Sequence, residues 1–213
     1  MLTLYGYWRS SAAYRVRIAL NLKGLSYHSQ SVHLVKDGGQ QHQADYQALN
    51  PAELVPTLVD GDLVLNQSMA ILQYLDDIYP KHPLLPKDKV EKAKVMAFAL
   101  DIACEIHPTN NLRVLQYLKG PLSHSQEETE DWYRHWMKLG FDALEQRLTI
   151  HAGSYCFADE ISMADLVLVP QVYNAHRYQL DMKAYPKIQS IYENCLKLDA
   201  FQKASPEQQA DAT

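Results

Sequence analysis

A short polar run, Trp8 to Ser11, stands between two apolar segments near the start of the chain. Leu2 to Tyr5 predicts a first strand, and Ala12 to Leu20 predicts a helix that begins at the serines. Backbone N–H groups at a helix start favour a bound anion, and with the helix dipole they lower the pKa of a thiol placed there. The sequence Arg9-Ser10-Ser11 is therefore typical of an anion site or of an ordinary serine cap.

The composition narrows the range of functions. The 213 residues are 47% hydrophobic and carry a formal net charge of −5, which is unlike a nucleic-acid-binding surface. There is no apolar run of about 18 to 20 residues and no basic leader at Met1, so we expect a cytoplasmic protein that does not enter membranes. Cys104, Cys156 and Cys195 are widely spaced, which fits a reducing compartment, and the nine histidines form no metal-ligand pattern.

The first 80 residues predict a β-α-β-α-β-β-α order. The first helix ends near Lys23 with Gly24 as its stop, and Asp60-Gly61 turns the last two strands into a hairpin. The last helix of this half begins at an Asn66 cap and runs up to Pro80. The remaining predicted elements are strands at 26–34, 55–59 and 62–65 and a short helix at 45–49.

The second half predicts helices only. Residues 80–87 hold three prolines and interrupt the helical pattern, which then resumes at 88–117, 126–150, 162–177 and 186–196. Asp165 follows Ser162 at capping-box spacing, so we expect it to be structural. Residues 203–213 are polar and small, which favours a mobile tail. The predicted division is a first domain at 1–80, a linker at 81–87 and a helical domain at 88–213.

Several short motifs follow one another along nearly the whole chain, and together they resemble those of one family. They are Arg-Ser-Ser at 9–11 with Tyr-Arg-Val-Arg-Ile-Ala-Leu at 14–20, Lys-Asp-Gly-Gly-Gln-Gln at 36–41, Ala-Leu-Asn-Pro at 48–51, Val-Pro-Thr-Leu at 55–58, Gln-Ser at 67–68, Met-Ala-Asp at 163–165 and Leu-Val-Pro-Gln-Val at 168–172. In this order they resemble the zeta class of the glutathione transferases. The resemblance implies a thioredoxin-like N-terminal domain, an all-helical C-terminal domain, glutathione as cofactor and a homodimer. Ala12 departs from the family, which has a cysteine at that position.

The resemblance also implies roles for residues at matching positions. Ser10 is expected to hydrogen-bond the glutathione sulfur, with amides around Ser11 and Ala12 assisting. Val55, before a cis Pro56, is expected to pair with the cysteinyl part. Other implied glutathione contacts are Gln41, Gln67, Ser68, His107, Asn111 and Arg113, and the implied partners of a substrate carboxylate are Arg9, Arg113 and Arg177.

The implied reaction is cis-trans isomerisation of maleylacetoacetate in tyrosine and phenylalanine breakdown. Rotation about a double bond needs a nucleophile that adds and leaves again, and a thiolate is suited to this. Three alternatives stay open on the sequence: the same chemistry on maleylpyruvate, a broader glutathione transferase that conjugates electrophiles or dehalogenates α-halo acids, and a non-catalytic binding module. No metal is required by any of them.

Overall fold

A four-stranded mixed sheet organises the first part of the chain. Its strands, in the spatial order β2-β1-β3-β4, are β1 (Leu2–Gly6), β2 (Tyr27–Ser31), β3 (Thr57–Asp60) and β4 (Leu63–Asn66). β1 is parallel to β2 and antiparallel to β3, and β3 and β4 form an antiparallel hairpin. Parallel neighbours need a crossover connection, which the first helix supplies. The order predicted from sequence and the thioredoxin-like fold are confirmed.

Three helices accompany the sheet: α1 (Ser11–Leu22), α2 (Ala44–Leu49) and α3 (Ser68–Ile78). Helix α1 is buried on all sides from Ser11 to Leu20, because it also packs against α3 and against a helix from the C-terminal end. The predicted Asn66 cap is wrong by one residue. Asn66 still pairs with Thr57 in the hairpin, so Gln67 takes the cap position of α3.

The structure describes all residues, Met1–Thr213, as a computed structural model, and the chain divides into two compact units. The first unit is Met1–Leu84 together with Leu196–Thr213, and the second is Leu85–Cys195. This division differs from the one predicted from sequence, which placed 88–213 in one helical domain. None of the helices is both long and apolar enough to cross a membrane.

The C-terminal segment is ordered and belongs to the first unit, in contrast to the predicted mobile tail. It contains the last α-helix of the chain, α9 (Asp199–Ala204), and a 3-10 turn (Pro206–Gln208). Phe201 and Ala204 are fully buried, and α9 packs on α1. The sequence did not indicate this docking because only a few apolar residues, widely spaced among polar ones, carry it.

The second unit contains helices and no strand, apart from isolated bridges near residues 152–160. The predicted helix at 88–117 is broken, because Pro108 lacks a backbone N–H and opens a 3-10 turn (Pro108–Asn110) after a π-helical turn (Asp101–Ile106). The helices are α4 (Lys89–Leu100), α5 (Leu112–Lys119), α6 (Gln126–His151), α7 (Met163–Arg177) and α8 (Pro186–Cys195).

Asp165 has the structural role predicted from the sequence. Its side chain is fully buried in the first turn of α7 and accepts from the backbone N–H and the hydroxyl of Ser162 at 2.8 and 3.0 Å. It also accepts from the Cys156 N–H at 2.8 Å, which ties the preceding loop to the helix. Burial raises the pKa of Asp165, and the hydrogen bonds oppose that shift.

Candidate active site

Ser10 sits at the junction between the first strand and α1. Its backbone is extended (φ −68°, ψ 116°), and its Oγ accepts from the N–H of Ala13 at 3.2 Å. The Ser10 carbonyl accepts from the Tyr14 N–H at 2.9 Å, the first bond of the helix. This N-cap uses a lone pair of the hydroxyl oxygen and leaves its O–H proton to donate to a ligand.

The residues before Ser10 form a tight turn that α1 itself holds. The Ser10 N–H donates to the Tyr7 carbonyl at 2.9 Å, which closes the turn. Arg17, only 3% exposed, donates to the same carbonyl at 3.4 Å and to the Trp8 carbonyl at 2.9 Å. A guanidinium has donors in a fixed planar fork, so it fixes both peptide units together. Sequence reasoning missed Arg17; its charge and that of Arg15, within a mostly apolar helix, were the available signal.

Arg9 projects from the same turn. Its guanidinium lies 4.5 Å from the centre of the Trp8 ring, and Nη2 donates to the Tyr7 hydroxyl at 3.2 Å. The side chain is half-buried. These aromatic contacts restrict the guanidinium without neutralising it, so a positive charge remains close to Ser10 along the chain.

The first two residues of α1, Ser11 and Ala12, are buried at 7% and 8% exposure. Their amides lie in the first turn of α1, at the positive end of the helix dipole. Ala12 brings no thiol, and all three cysteines of the chain belong to the second unit. Cys156 and Cys195 are buried there, which raises the pKa of both thiols. The first unit therefore contributes no thiol of its own beside Ser10.

Gln67 and Ser68 form the start of α3. Gln67 is exposed and adopts a positive φ of 67°, a region that non-glycine residues seldom occupy and that recurs at functional sites. Ser68 is 5% exposed, and its Oγ accepts from Nη1 of Arg15 at 3.1 Å. Arg15, on α1, is itself 2% exposed. The start of α3 thus combines helix amides, a hydroxyl and a buried positive charge, which together suit a carboxylate.

Gln41 is buried in the loop before α2, and its placement depends on a glycine. Its Nε2 contacts Nε2 of His42 at 2.9 Å and the Leu34 carbonyl at 3.5 Å. Gly39 has φ 101°, and a Cβ at that position would lie 2.6 Å from the Gln41 Nε2. His42 in turn hydrogen-bonds Glu53, which lowers the pKa of that carboxyl. The Gln41 side-chain amide is therefore buried, and contacts with His42 and with the Leu34 carbonyl hold it in place.

Val55 precedes β3, and the Val55–Pro56 peptide is cis, as the resemblance implied. Val55 is half-buried, whereas Pro56 and Thr57 are buried. Thr57 Oγ1 lies 2.9 Å from the Tyr46 hydroxyl and accepts from the Asn50 amide at 3.1 Å. These contacts hold the first residue of β3, two positions after Val55.

In the second unit, His107, Asn111 and Arg113 fall within one seven-residue stretch around the start of α5. The His107 N–H donates to the Ile102 carbonyl at 2.9 Å and ends the π-helical turn. Asn111 caps α5 by accepting from the Arg113 N–H at 3.2 Å. Arg113 is exposed in the first turn of this helix, where a cation meets the positive end of the dipole. A cation at that end of a helix does not stabilise the helix.

Arg177 ends α7 and is supported by aromatic rings. Its guanidinium lies 4.8 Å from the Tyr178 ring centre, and Nη2 donates to the Tyr178 hydroxyl at 3.2 Å. The Tyr178 ring stacks on that of Tyr133 with centroids 3.6 Å apart. Burial raises the pKa of Tyr133, and the Arg177 charge opposes that shift. The stack is a second feature that sequence reasoning missed. It supports the Tyr178 ring, against which the Arg177 guanidinium lies.

The structure places the candidate residues in two groups, one in each unit. In the first unit, α1 connects Ser10, which caps it, with Ser68, which Arg15 reaches, while Gln41 and Val55 lie on separate loops. Those of the second unit lie on separate elements, at the start of α5 and at the end of α7. No group of three or more His, Cys, Asp or Glu side chains is placed to hold a metal ion.

Comparison with known proteins gives consistent matches along the chain. The family models described as the N-terminal and C-terminal domains of glutathione S-transferase match residues 4–83 and 113–203. The chain is 56% identical to a probable maleylacetoacetate isomerase of Vibrio cholerae, over 99% of this chain and 98% of the relative.

Two solved structures are similar to the whole chain. One is the holo structure of maleylpyruvate isomerase, a bacterial zeta-class glutathione S-transferase, with a TM-score of 0.96 and 42% identity over 99% of this chain and 100% of that one. The other is maleylacetoacetate isomerase from Anaeromyxobacter dehalogenans with dicarboxyethyl glutathione and citrate in its active site. Its TM-score is 0.88, with 38% identity over 100% and 98% of the two chains.

Proposed function

Because the chain belongs to the glutathione S-transferase family, we propose that it is a glutathione-dependent isomerase that converts maleylacetoacetate to its trans isomer. The observation that carries the proposal is the Ser10 hydroxyl, which caps α1 through its oxygen and keeps its proton for a thiolate. The relatives named above support the substrate assignment.

The reaction needs a thiolate that adds and leaves. The sulfur forms a bond to one carbon of the cis double bond, and the electron pair of that bond moves onto the conjugated carbonyl as an enolate. Rotation about the resulting single bond follows. Return of the electron pair expels the sulfur and restores the double bond as trans, so glutathione is regenerated.

Ser10 acts on the first of these steps. A free thiol has a pKa of about 8.5 and is mostly protonated at neutral pH. Donation from the Ser10 hydroxyl and from the Ser11 and Ala12 amides favours the charged sulfur and lowers that pKa. Ser10 has no base beside it in the turn, so its role is stabilisation of the thiolate and not proton abstraction.

Glutathione is anchored at several points in this proposal. The γ-glutamyl carboxylate is held at the start of α3 by Gln67 and Ser68, over the Arg15 charge. The Val55 backbone pairs with the cysteinyl part, and Gln41 contacts the other end. By the resemblance, His107, Asn111 and Arg113 are further candidates for glutathione contacts.

Arginines receive the substrate acid in this proposal. Arg9 carries its charge on the Ser10 turn, and Arg177 presents a guanidinium fixed on Tyr178. Arg113 is shared between glutathione and substrate. Planar guanidinium forks match carboxylates in charge and shape. The dicarboxyethyl glutathione of the Anaeromyxobacter relative carries two carboxylates next to glutathione, the charge pattern that such arginines would receive.

An assay with two substrates distinguishes isomerisation of maleylacetoacetate from isomerisation of maleylpyruvate. Purified protein is supplied with reduced glutathione and with maleylacetoacetate or maleylpyruvate, and the trans product and free glutathione are both measured. We expect turnover of maleylacetoacetate with no consumption of glutathione. A strong preference for maleylpyruvate, which the similarity to that isomerase favours as the second candidate, would reassign the substrate.

The same assay distinguishes the two remaining alternatives. A product that carries glutathione, or release of halide from an α-halo acid, would indicate a broader transferase. Failure both to isomerise either substrate and to bind immobilised glutathione would indicate a non-catalytic module.

We also propose that the protein forms a homodimer and works in the cytoplasm. Leu63 and Val64, on the hairpin strand β4, are exposed apolar side chains that a second copy would cover. Three free cysteines are compatible with a compartment that keeps glutathione reduced. Gel filtration with light scattering tests the dimer, and fractionation of cells tests the compartment.

A further inference from the structure

The turn that carries Ser10 is bound by a residue from the far end of the chain. The Trp8 N–H donates to Oδ2 of Asp211 at 3.2 Å, although 203 positions separate the two residues. The Ser31 hydroxyl, at the end of β2, donates to the same oxygen at 2.8 Å. One carboxylate oxygen therefore connects the C-terminal segment, the edge of the sheet and the turn.

The opposite side of this turn is held by Arg17. Its Nη1 and Nη2 donate to the Tyr7 and Trp8 carbonyls, while its Nε donates to the Ala204 carbonyl of α9 at 2.9 Å. The Trp8 peptide units are therefore bound on both sides, through the N–H by Asp211 and through the carbonyl by Arg17. Both bonds lead back to the C-terminal segment.

The segment itself is fixed before it reaches Asp211. The Gln209 side chain donates to the carbonyls of Lys203 and Ser205 at 3.0 and 2.8 Å, and the Ala212 N–H closes a turn onto the Gln209 carbonyl at 3.0 Å. Asp211 stands inside that closed turn. Its carboxylate is therefore presented to Trp8 by a braced backbone.

From this geometry we propose that Asp211 is a positioning residue for the thiolate site: it holds the Trp8 backbone, and through the turn it fixes the direction of the Ser10 hydroxyl. The inference rests on the proposed function of Ser10. A hydrogen bond to a charged sulfur weakens steeply when the donor turns away, so a looser turn stabilises the thiolate less. The effect acts through the backbone and needs no contact between Asp211 and glutathione.

The test measures the thiol pKa of bound glutathione by ultraviolet titration of the thiolate, together with the melting temperature. For Asp211→Ala we expect the thiol pKa to rise by about 0.5 unit, which is about threefold less thiolate below the pKa. A second variant, a chain ending at Ala210, should show the same rise, because the Gln209 side-chain bonds that hold the preceding segment remain.

Two further variants separate position from charge. Asp211→Asn keeps an acceptor for the Trp8 N–H but removes the negative charge, and we expect a thiol pKa like that of the parent. Asp199→Ala is the matched control, since this exposed carboxylate of the same segment pairs with Lys203. It should change neither the thiol pKa nor the activity.

The inference is overturned if Asp211→Ala and the shortened chain keep the parent thiol pKa, whatever happens to their melting temperatures. It is also overturned if Asp211→Ala and Asp211→Asn both lower that pKa, because the carboxylate would then act by repelling the thiolate. Failure of the unmodified protein to lower the thiol pKa of glutathione at all would instead refute the proposed function of Ser10.

Discussion

The buried guanidinium of Arg15 donates to the hydroxyl of Ser68 at 3.1 Å and so links the middle of α1 to the first residue of α3. These two helices carry the proposed sites for the sulfur and for the γ-glutamyl carboxylate. Ser10 caps the first helix and Ser68 begins the second. The pair thus joins the two ends of the proposed glutathione site through one ion-assisted hydrogen bond.

Replacement of Arg15 by Met removes this donor and keeps most of the apolar stem. A hydrogen bond that involves a charged group contributes about 1.5–3 kcal/mol, so we expect the KM for glutathione to rise at least about tenfold. The kcat at saturating glutathione should change less than about twofold, because the sulfur site is retained. Initial rates over a range of glutathione concentrations measure both constants.

A double-mutant cycle shows whether Arg15 acts through Ser68. Ser68→Ala alone should also raise the KM for glutathione, and the variant with both changes should be little worse than the weaker-binding single variant. Fully additive losses would mean that the two residues act independently and would contradict the proposed link.

Replacement of Ser10 by Ala should raise the thiol pKa of bound glutathione and lower turnover at neutral pH. Since less thiolate is present at low pH, the acidic limb of the rate profile should move to higher pH. Loss of the cap also destabilises the protein, by about 1 kcal/mol. Ser125→Ala is the matched control, because Ser125 caps α6 through Glu128 in the same way.

The Ser125 variant should lose a similar amount of stability and keep both the pH profile and the turnover. Unchanged turnover and pH profile in the Ser10 variant would exclude Ser10 from the thiolate site. Thermal unfolding and pH-rate measurements on the two variants provide the comparison.

Gly39→Ala should weaken glutathione binding by displacing Gln41. The new Cβ would lie 2.6 Å from the Gln41 Nε2 at a backbone with φ 101°. Gly38→Ala is the control, because Gly38 also has a positive φ, of 78°, but has no atom within 4 Å of the new Cβ. Both variants bear backbone strain, of about 1 kcal/mol, and only the first should raise the KM for glutathione. Equal KM values in the two variants would remove Gln41 from the site.

Arg177→Met should lower kcat/KM for the acidic substrate by about tenfold to a hundredfold, the loss of one charge-assisted contact. The thiol pKa of bound glutathione should stay unchanged, because Arg177 is assigned to the substrate and not to the sulfur. Tyr178→Phe keeps the ring beneath the guanidinium and loses the 3.2 Å hydrogen bond, so its effect should be smaller.

Arg147→Met serves as the control for Arg177, since Arg147 is another exposed helical arginine and pairs with Asp101. It should leave kcat/KM unchanged. A substrate KM that is the same in the Arg177 and Arg147 variants would show that Arg177 does not receive the carboxylate.

Asp165→Ala should unfold the protein more easily without altering its chemistry. Removal of this buried carboxylate leaves the N–H groups of Cys156 and Ser162 without their acceptor, a loss of about 3 kcal/mol or more. Asp159→Ala, at an exposed carboxylate that also accepts from a loop N–H, is the control and should change stability far less. Denaturant unfolding measures both, and a loss of turnover per folded molecule would contradict the structural role of Asp165.

The sequence by itself determined the features that depend on neighbouring residues. The Ser10 cap and the Ser162–Asp165 box bond residues three positions apart, so local spacing predicts them. The strand and helix order of residues 1–80 follows from periodicity and turn residues in the same way. The motif series added the family, and with it the candidate residues.

Only the tertiary structure decided which groups support those residues. Arg15 bonds Ser68 across 53 positions, Arg17 bonds Ala204 across 187 and Asp211 bonds Trp8 across 203. No local pattern encodes such contacts, because they form only when separate segments pack together. A charged residue within a helix usually faces solvent, and a polar C-terminal segment usually stays loose. Here the burial of α1 by α3 and α9 reverses both expectations, and that burial belongs to the whole fold.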